Sequence, residues 1–311
     1  MKNSIDVNDL KKYYGDVKAV DGISFSVESG TIFGMLGPNG AGKTTTIETL
    51  VGLKDKDSGQ VNILGHNPFD NKGLSEIKKK IGVQLQSPTL FPRLTVEEII
   101  QLFASFYSNP LSVEQVVKRI GLNTKKDERV ESLSGGQKHR LAVGLAMVSN
   151  GDIIFLDEPT TGLDPQARRK LWDVIKNLKS EGVTVFLTTH YMDEAEKLCD
   201  NLVIIDRGKI IAEGSPEELI KENFKERAIE FKDPGFSNSQ LKSLEEKVET
   251  NRVSYEENSD KYILYTENIT TSMGDLMNYS ESIEKAINDI TVRQPSLEDV
   301  FIKLTGRGIR E

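Results

Sequence analysis

Apolar positions fall into short, nearly unbroken runs over the first part of the chain. TIFGML (31–36), IIFL (153–156) and VTVFL (183–187) are β-branched or aromatic and bounded by glycine or polar residues. Such runs predict strands buried on both faces of a parallel sheet, since a buried helix would need a longer stretch. Between them, residues 95–149 carry mostly helical spacing, and Thr95 followed by Glu98 predicts a capping box. Ser215-Pro216-Glu217-Glu218-Leu219 predicts a further helix start, with a cap, a proline in first position and acids in the first turn. Strands alternating with helices over residues 1 to about 224 predict an α/β fold.

The pattern changes after about residue 225. RAIEFK (227–232), RVSYEEN (252–258), KYILYTEN (261–268) and INDITVRQ (287–294) predict strands. Helical patterns at 237–248 and near 270–285 separate them, giving the β-α-β-β-α-β order of ferredoxin-like folds. A closing helix follows, with Ser296 and Asp299 as a capping pair and Leu297, Val300, Phe301 and Leu304 as one apolar stripe. The expected organisation is thus a domain over 1–224 and a smaller α+β accessory domain over 225–311.

Composition narrows the class. With 37% hydrophobic and 28% charged residues, the chain can build a core and is not of the disordered type. Its longest apolar stretch, Leu141 to Val148, is 8 residues, far below the roughly 20 a membrane-spanning helix needs. The opening MKNSIDVNDL lacks the apolar centre of a signal peptide, and one cysteine, Cys199, suits a reducing compartment. Net charge is −8, of which −5 lies in residues 225–311 (12 Lys and Arg against 17 Asp and Glu). That balance argues against a nucleic-acid partner.

The candidate chemistry begins at Gly37-Pro38-Asn39-Gly40-Ala41-Gly42-Lys43-Thr44, which fits G-x-x-x-x-G-K-[ST] at every position. An apolar run precedes it, and the helical pattern beginning at Thr44-Thr45 follows. Glycines let successive backbone N–H groups close around phosphate oxygens, and the helix N-terminus adds positive potential. Lys43 would bridge the terminal phosphates and Thr44 would join a Mg2+ shell. The second strand ends in Asp157-Glu158; adjacent carboxylates there are costly unless a cation or polar ligand meets them. Asp157 is the expected metal ligand, and Glu158 is then free to polarise a water. His190 ends the third strand, and ligands of open parallel sheets sit beyond the carboxyl ends of strands. GTP specificity is not expected, because Asn71-Lys72-Gly73-Leu74 lacks the Asp of a guanine-reading N-K-x-D string.

Leu133-Ser134-Gly135-Gly136-Gln137 stands ahead of the helical run QKHRLAVGLAMV and matches the ABC signature. Over residues 1 to about 224 the chain resembles the ATP-binding subunit of an ABC transporter. The resemblance implies a P-loop NTPase cassette with a parallel-sheet core, an antiparallel β subdomain and a helical subdomain at about 90–150. It implies ATP and Mg2+ as ligands, with Tyr14 against adenine and Gln86 at the metal or attacking water. Leu163-Asp164 corresponds to the D-loop and His190 to the group at the γ-phosphate. Tyr13 and Gln84 are the neighbouring alternatives. Ser134, Gly135, Gly136 and Gln137 are implied to complete the site of a second subunit, so that two copies close head to tail around ATP. The implied partner is a separately encoded transmembrane permease, which places the chain at the cytoplasmic face of the membrane. PSLEDVFIKLTGR (295–307) and TTHYMDEAEKLCDNLVIIDRGKIIAEGSPEEL (188–219) resemble the drug-exporter branch related to daunorubicin-resistance ATPases. The alternative is a regulatory, non-transporting ABC ATPase, or a soluble one acting on ribosomes.

Overall fold

The computed structural model describes residues 2–86, 90–256 and 260–305. Glu257 and Asn258, and Gly306 and Arg307, which belong to strings considered above, lie outside the described residues. Two compact units divide at Pro216. The division falls before the expected residue 224 because helix α8 (Pro216–Asn223) goes with the second unit: Lys303 near the end of the chain donates to the carbonyl of Asn223.

In the first unit the runs predicted as strands are strands. β3 (Ile32–Leu36), β6 (Ile153–Asp157) and β7 (Thr184–Thr189) are buried at every position. They lie in a sheet ordered β5-β6-β7-β3-β8-β9, with β5 (Ile81–Gln84), β8 (Asn201–Asp206) and β9 (Lys209–Gly214). All neighbours are parallel except β8 and β9, which form an antiparallel edge. A second, antiparallel sheet is ordered β2-β1-β4: β1 (Asn3–Tyr14), β2 (Val17–Glu28) and β4 (Ser58–Ile63). The two sheets meet through aromatic rings. Phe25 of β2 stacks on Phe33 at 5.4 Å, and Phe186 lies 5.6 Å from both Phe33 and Phe155. Burying such rings is the main favourable term for this core. Ile47 and Leu50 of α1 (Lys43–Leu50) complete it, with Ile77 of α2 (Asn71–Lys78).

The helical region holds α3 (Val96–Ala104), α4 (Val113–Arg119) and α5 (Gly135–Met147), and α6 (Pro165–Ser180) and α7 (Met192–Leu198) follow. Thr95 forms the predicted capping box with Glu98. Gly82 in β5 lets α5 approach closely, since a Cβ there would lie 1.9 Å from the Ala146 carbonyl oxygen. Gly82→Ala should therefore force the sheet and helix apart, at about 1–3 kcal/mol of unfolding free energy in a denaturant titration.

In the second unit β10 (Arg227–Lys232), β11 (Arg252–Glu256), β12 (Lys261–Thr266) and β13 (Thr291–Arg293) form one antiparallel sheet ordered β11-β12-β10-β13. With α9 (Asn238–Lys247) and α10 (Ile269–Ser282), this is the ferredoxin-like order. Ser237 caps α9 as a capping box with Gln240. The strand expected over 287–294 is shorter, because Asp289 sits at a left-handed φ of 54° and breaks the extended run. In the closing helix α11 (Leu297–Thr305), Leu297, Val300 and Phe301 are buried, but Leu304 is 41% exposed and leaves the predicted stripe.

Candidate functional site

The phosphate loop joins β3 to α1. Gly42 is the N-cap of α1 at φ 110°, and a Cβ there would meet the Ala19 carbonyl oxygen at 2.2 Å. No side chain caps this helix end, so first-turn N–H groups face the loop's concave side without a side-chain acceptor. A cleft of about 640 Å³ opens there. Asn39, Gly40, Gly42, Lys43, Thr44 and Thr45 line it, together with Gln86 and Glu158. Gly37, Pro38 and Ala41 do not line it, but the carbonyls of Gly37 and Pro38 accept from the Lys43 ammonium at 2.8 and 3.0 Å.

Glu158 is the hub. Its Oε1 lies 3.1 Å from Lys43 Nζ, and its Oε2 is 3.0 Å from His190 Nδ1. The same Oε2 accepts from Gln86 Nε2 at 3.3 Å and Thr161 Oγ1 at 3.1 Å. Its backbone is held at φ 48°, with its N–H donating to Thr188. A non-glycine residue there is strained, as at many functional positions. Burial would raise the Glu158 pKa, but the His190 hydrogen bond and the Lys43 charge outweigh it and bring it down to about 2. Ionised Glu158 therefore stabilises the fold above its ordinary value of 4.5, and this contribution is lost as pH falls from about 4.5 towards 2. Thermal unfolding should show a steeper acid decline over that window in the wild type than in Glu158→Gln.

Asp157 has a different role. It is fully buried; one oxygen accepts from Thr188 at 2.5 Å, while Oδ2 has no hydrogen-bond partner. Burial raises its pKa, and the Thr188 hydrogen bond and the nearby Thr44 hydroxyl offset part of that rise. A buried carboxylate oxygen without a donor, near a threonine hydroxyl, is a donor set that fits a hard, oxygen-bound cation. Of the two candidate glutamines, Gln84 is buried and bonded to the carbonyls of Leu85 and Asp157, whereas Gln86 reaches the cleft.

Other predicted residues stand apart from the cleft. Tyr14 is 42% exposed, with Lys12 and Lys54 5.4 and 5.2 Å from its ring, and is not among the cleft-lining residues. Tyr13 donates its hydroxyl to Asp21 at 2.6 Å. Asp164 caps α6, accepting from the backbone N–H groups of Gln166 and Ala167, both at 2.9 Å. Ser134 and Gln137 form a capping box at the start of α5. Gly136 packs against α6, since a Cβ there would come 2.7 Å from Ala167 Cβ. Gly135 lines a separate cavity of about 460 Å³ with Gln86, Lys138 and His139. Three residues escaped the sequence reading. Thr188 is in register with Asp157 on the neighbouring strand, a pairing the two aligned runs imply. Lys18, near the start of β2, and Arg207, in the turn between β8 and β9, line the cleft from segments that carry no motif of their own.

The ABC transporter family model matches residues 20–161. Over 314 residues the chain is 36% identical to the Nod factor export ATP-binding protein I of Ralstonia nicotianae, covering 99% of this chain and 95% of that protein. The chain belongs to the ABC transporter ATP-binding proteins. It is also 34% identical to the linearmycin resistance ATP-binding protein LnrL of Bacillus subtilis, over 99% of this chain and all of that one. Both alignments run through the second unit as well as the cassette. Among solved structures, cbiO1 of Clostridium perfringens, part of an ABC transporter complex, matches with a TM-score of 0.65 and 28% identity, covering 72% of this chain and 92% of that one. The dimeric ABC cassette MJ0796 matches at a TM-score of 0.61 and 27% identity, over 68% and 98%. This ABC protein is an ATPase and an ATP-binding subunit of the exporter type. Among its described residues no helix is long and apolar enough to cross a membrane.

Proposed function

We propose that two copies of this ABC subunit close head to tail around two ATP·Mg2+ and drive export through a separate permease at the cytoplasmic face of the membrane. The observation that supports the composite site is the separation of motifs within one chain. Ser134, Gly136 and Asp164 do not line the chain's own phosphate cleft, and Gly135 lines a different cavity. Gly135 is exposed, and a Cβ built on it meets nothing within 4 Å, which leaves room for an anion brought by a partner. The two N-termini then play complementary parts: α1 receives the phosphates of its own nucleotide, and α5 those of the partner's.

In the reaction, Lys43 leaves the carbonyls of Gly37 and Pro38 and turns to the β- and γ-phosphates. Thr44 and Asp157, with Gln86, would hold a Mg2+, which would supply neutralisation of the phosphoryl oxygens. Glu158 accepts the proton of the attacking water, and His190 both orients Glu158 and donates to the γ-phosphate. Tyr14 approaches the adenine. The cargo is a drug, antibiotic or other hydrophobic compound, in line with a relative named for linearmycin resistance and others named for Nod factor export. The cassette spans residues 1 to about 216 and the accessory domain the remainder.

Membrane fractionation tests the partner. The chain is expected to sediment with membranes and, after detergent extraction, to co-purify with a multi-span protein. Recovery with ribosomes, and ATPase activity stimulated by them, would overturn the permease reading.

A further inference from the structure

We infer that Arg168 and Tyr191 are positioning residues that hold the His190 imidazole against Glu158. The side chains form one stack, in which the Tyr191 and His190 rings are tilted by 41°. The Arg168 guanidinium lies 4.5 Å from the centre of the Tyr191 ring, and the Tyr191 ring lies 4.1 Å from that of His190. His190 in turn places Nδ1 3.0 Å from Glu158 Oε2.

Each layer is fastened separately. Arg168 sits in the first turns of α6, its side chain 19% exposed, and its Nη1 reaches both carboxylate oxygens of Asp193 at 3.3 and 3.4 Å. Its Nε is buried without a partner, so hydrogen bonding does not fully account for its placement. Its place over the Tyr191 ring, 4.5 Å from the ring centre, adds a cation–π contact. The Tyr191 N–H donates to Thr189 Oγ1 at 2.9 Å, which sets the backbone on one side of the ring. Tyr191 is also the N-cap of α7 and makes no side-chain cap there. A helix start favours Ser, Thr, Asp or Asn at that position. An aromatic residue there does nothing for the helix, and its ring packs at a tilt against the imidazole. A second tie joins the same two helices: Trp172 Nε1 of α6 donates to the buried Glu194 of α7 at 2.8 Å. Because α6 begins beside Asp164, the element that fixes the His190 ring is also the one that carries the D-loop.

The inference rests on the proposed role of His190 at the γ-phosphate, and one set of variants separates the two. His190→Ala tests the role itself; if its kcat equals the wild type's, the reading of the site fails and this inference with it. If His190→Ala lowers kcat, Tyr191→Leu and Arg168→Ala test the stack. Both are expected to lower kcat on the order of tenfold with KM for ATP within about twofold, because the ring is misplaced while nucleotide contacts persist. Tyr191→Phe, which keeps the ring, should restore wild-type turnover. Single-turnover phosphate release in a His190→Ala background should no longer respond to Tyr191→Leu. The inference is overturned by unchanged kcat in both variants, by a rise in KM in step with the loss, or by an equal loss from Tyr191→Leu with and without His190. Should Tyr191→Leu lower the unfolding midpoint sharply, Arg168→Ala, at the outer end of the stack, decides by the same readouts.

Discussion

Glu158→Gln is expected to lose turnover by about 10²–10⁴-fold while keeping ATP, and to elute as a dimer only when ATP and Mg2+ are present. The amide is the same size as the carboxylate, so its hydrogen bonds to Gln86, Thr161 and His190 can be rearranged without opening a cavity. What disappears is the proton acceptor and the negative charge 3.1 Å from Lys43. The lysine is then freer to meet a phosphate, so nucleotide affinity should rise rather than fall. Phosphate release and size-exclusion chromatography check the two halves. Wild-type hydrolysis by this variant would remove Glu158 from the chemistry, and failure to dimerise with ATP would sink the composite site.

Lys43→Ala is expected to abolish both ATP binding and hydrolysis, and to destabilise the ligand-free protein. Lys43 and Glu158 each have side chains only 4% exposed. Removing one member of a buried pair leaves the other charge without its partner, which costs about 3–5 kcal/mol in the general case. Here His190, Gln86 and Thr161 still meet the Glu158 carboxylate, so the lower end of that range is the expectation. The double variant Lys43→Ala, Glu158→Gln removes the stranded charge and should unfold at higher denaturant than Lys43→Ala alone. Equal stability of the two would mean that the pair is electrostatically idle. Unchanged ATP binding by Lys43→Ala would count against the assignment of the cleft.

The strands that carry the site were legible because their runs are apolar at every position. β3, β6 and β7 are buried throughout, and their ends hold the phosphate loop, Asp157-Glu158 and His190. β1 and β2 escaped the pattern for a physical reason. They have one exposed face, and β1 changes register after Val7, with Asp9 at φ 46°, which interrupts the alternation a strand should show. The family resemblance implied an antiparallel subdomain, but nothing in the polar pattern located it. Within the site, motif residues were readable and their mutual arrangement was not. That Gln86 rather than Gln84 reaches the cleft depends on where β5 ends, because Gln84 is its buried last residue and Gln86 lies beyond it. The Arg168–Tyr191–His190 stack joins a helix to a loop across 22 positions of sequence (190 − 168) and has no motif. In the accessory unit, pattern and capping signals found most elements, because Ser237 and Ser296 announce their helices locally.

The grip of Lys43 on Glu158 has a kinetic meaning for the idle enzyme. The His190 hydrogen bond and the Lys43 charge together hold the Glu158 carboxylate well below the usual glutamate range, so in the proposed mechanism an empty subunit would carry a weakened base. In that mechanism a triphosphate would draw the ammonium away and so remove one of the two influences that lower the base, leaving the His190 hydrogen bond. Seating of the substrate and strengthening of the base would then be linked through one side chain. An ABC motor built this way would not activate water before the fuel is seated.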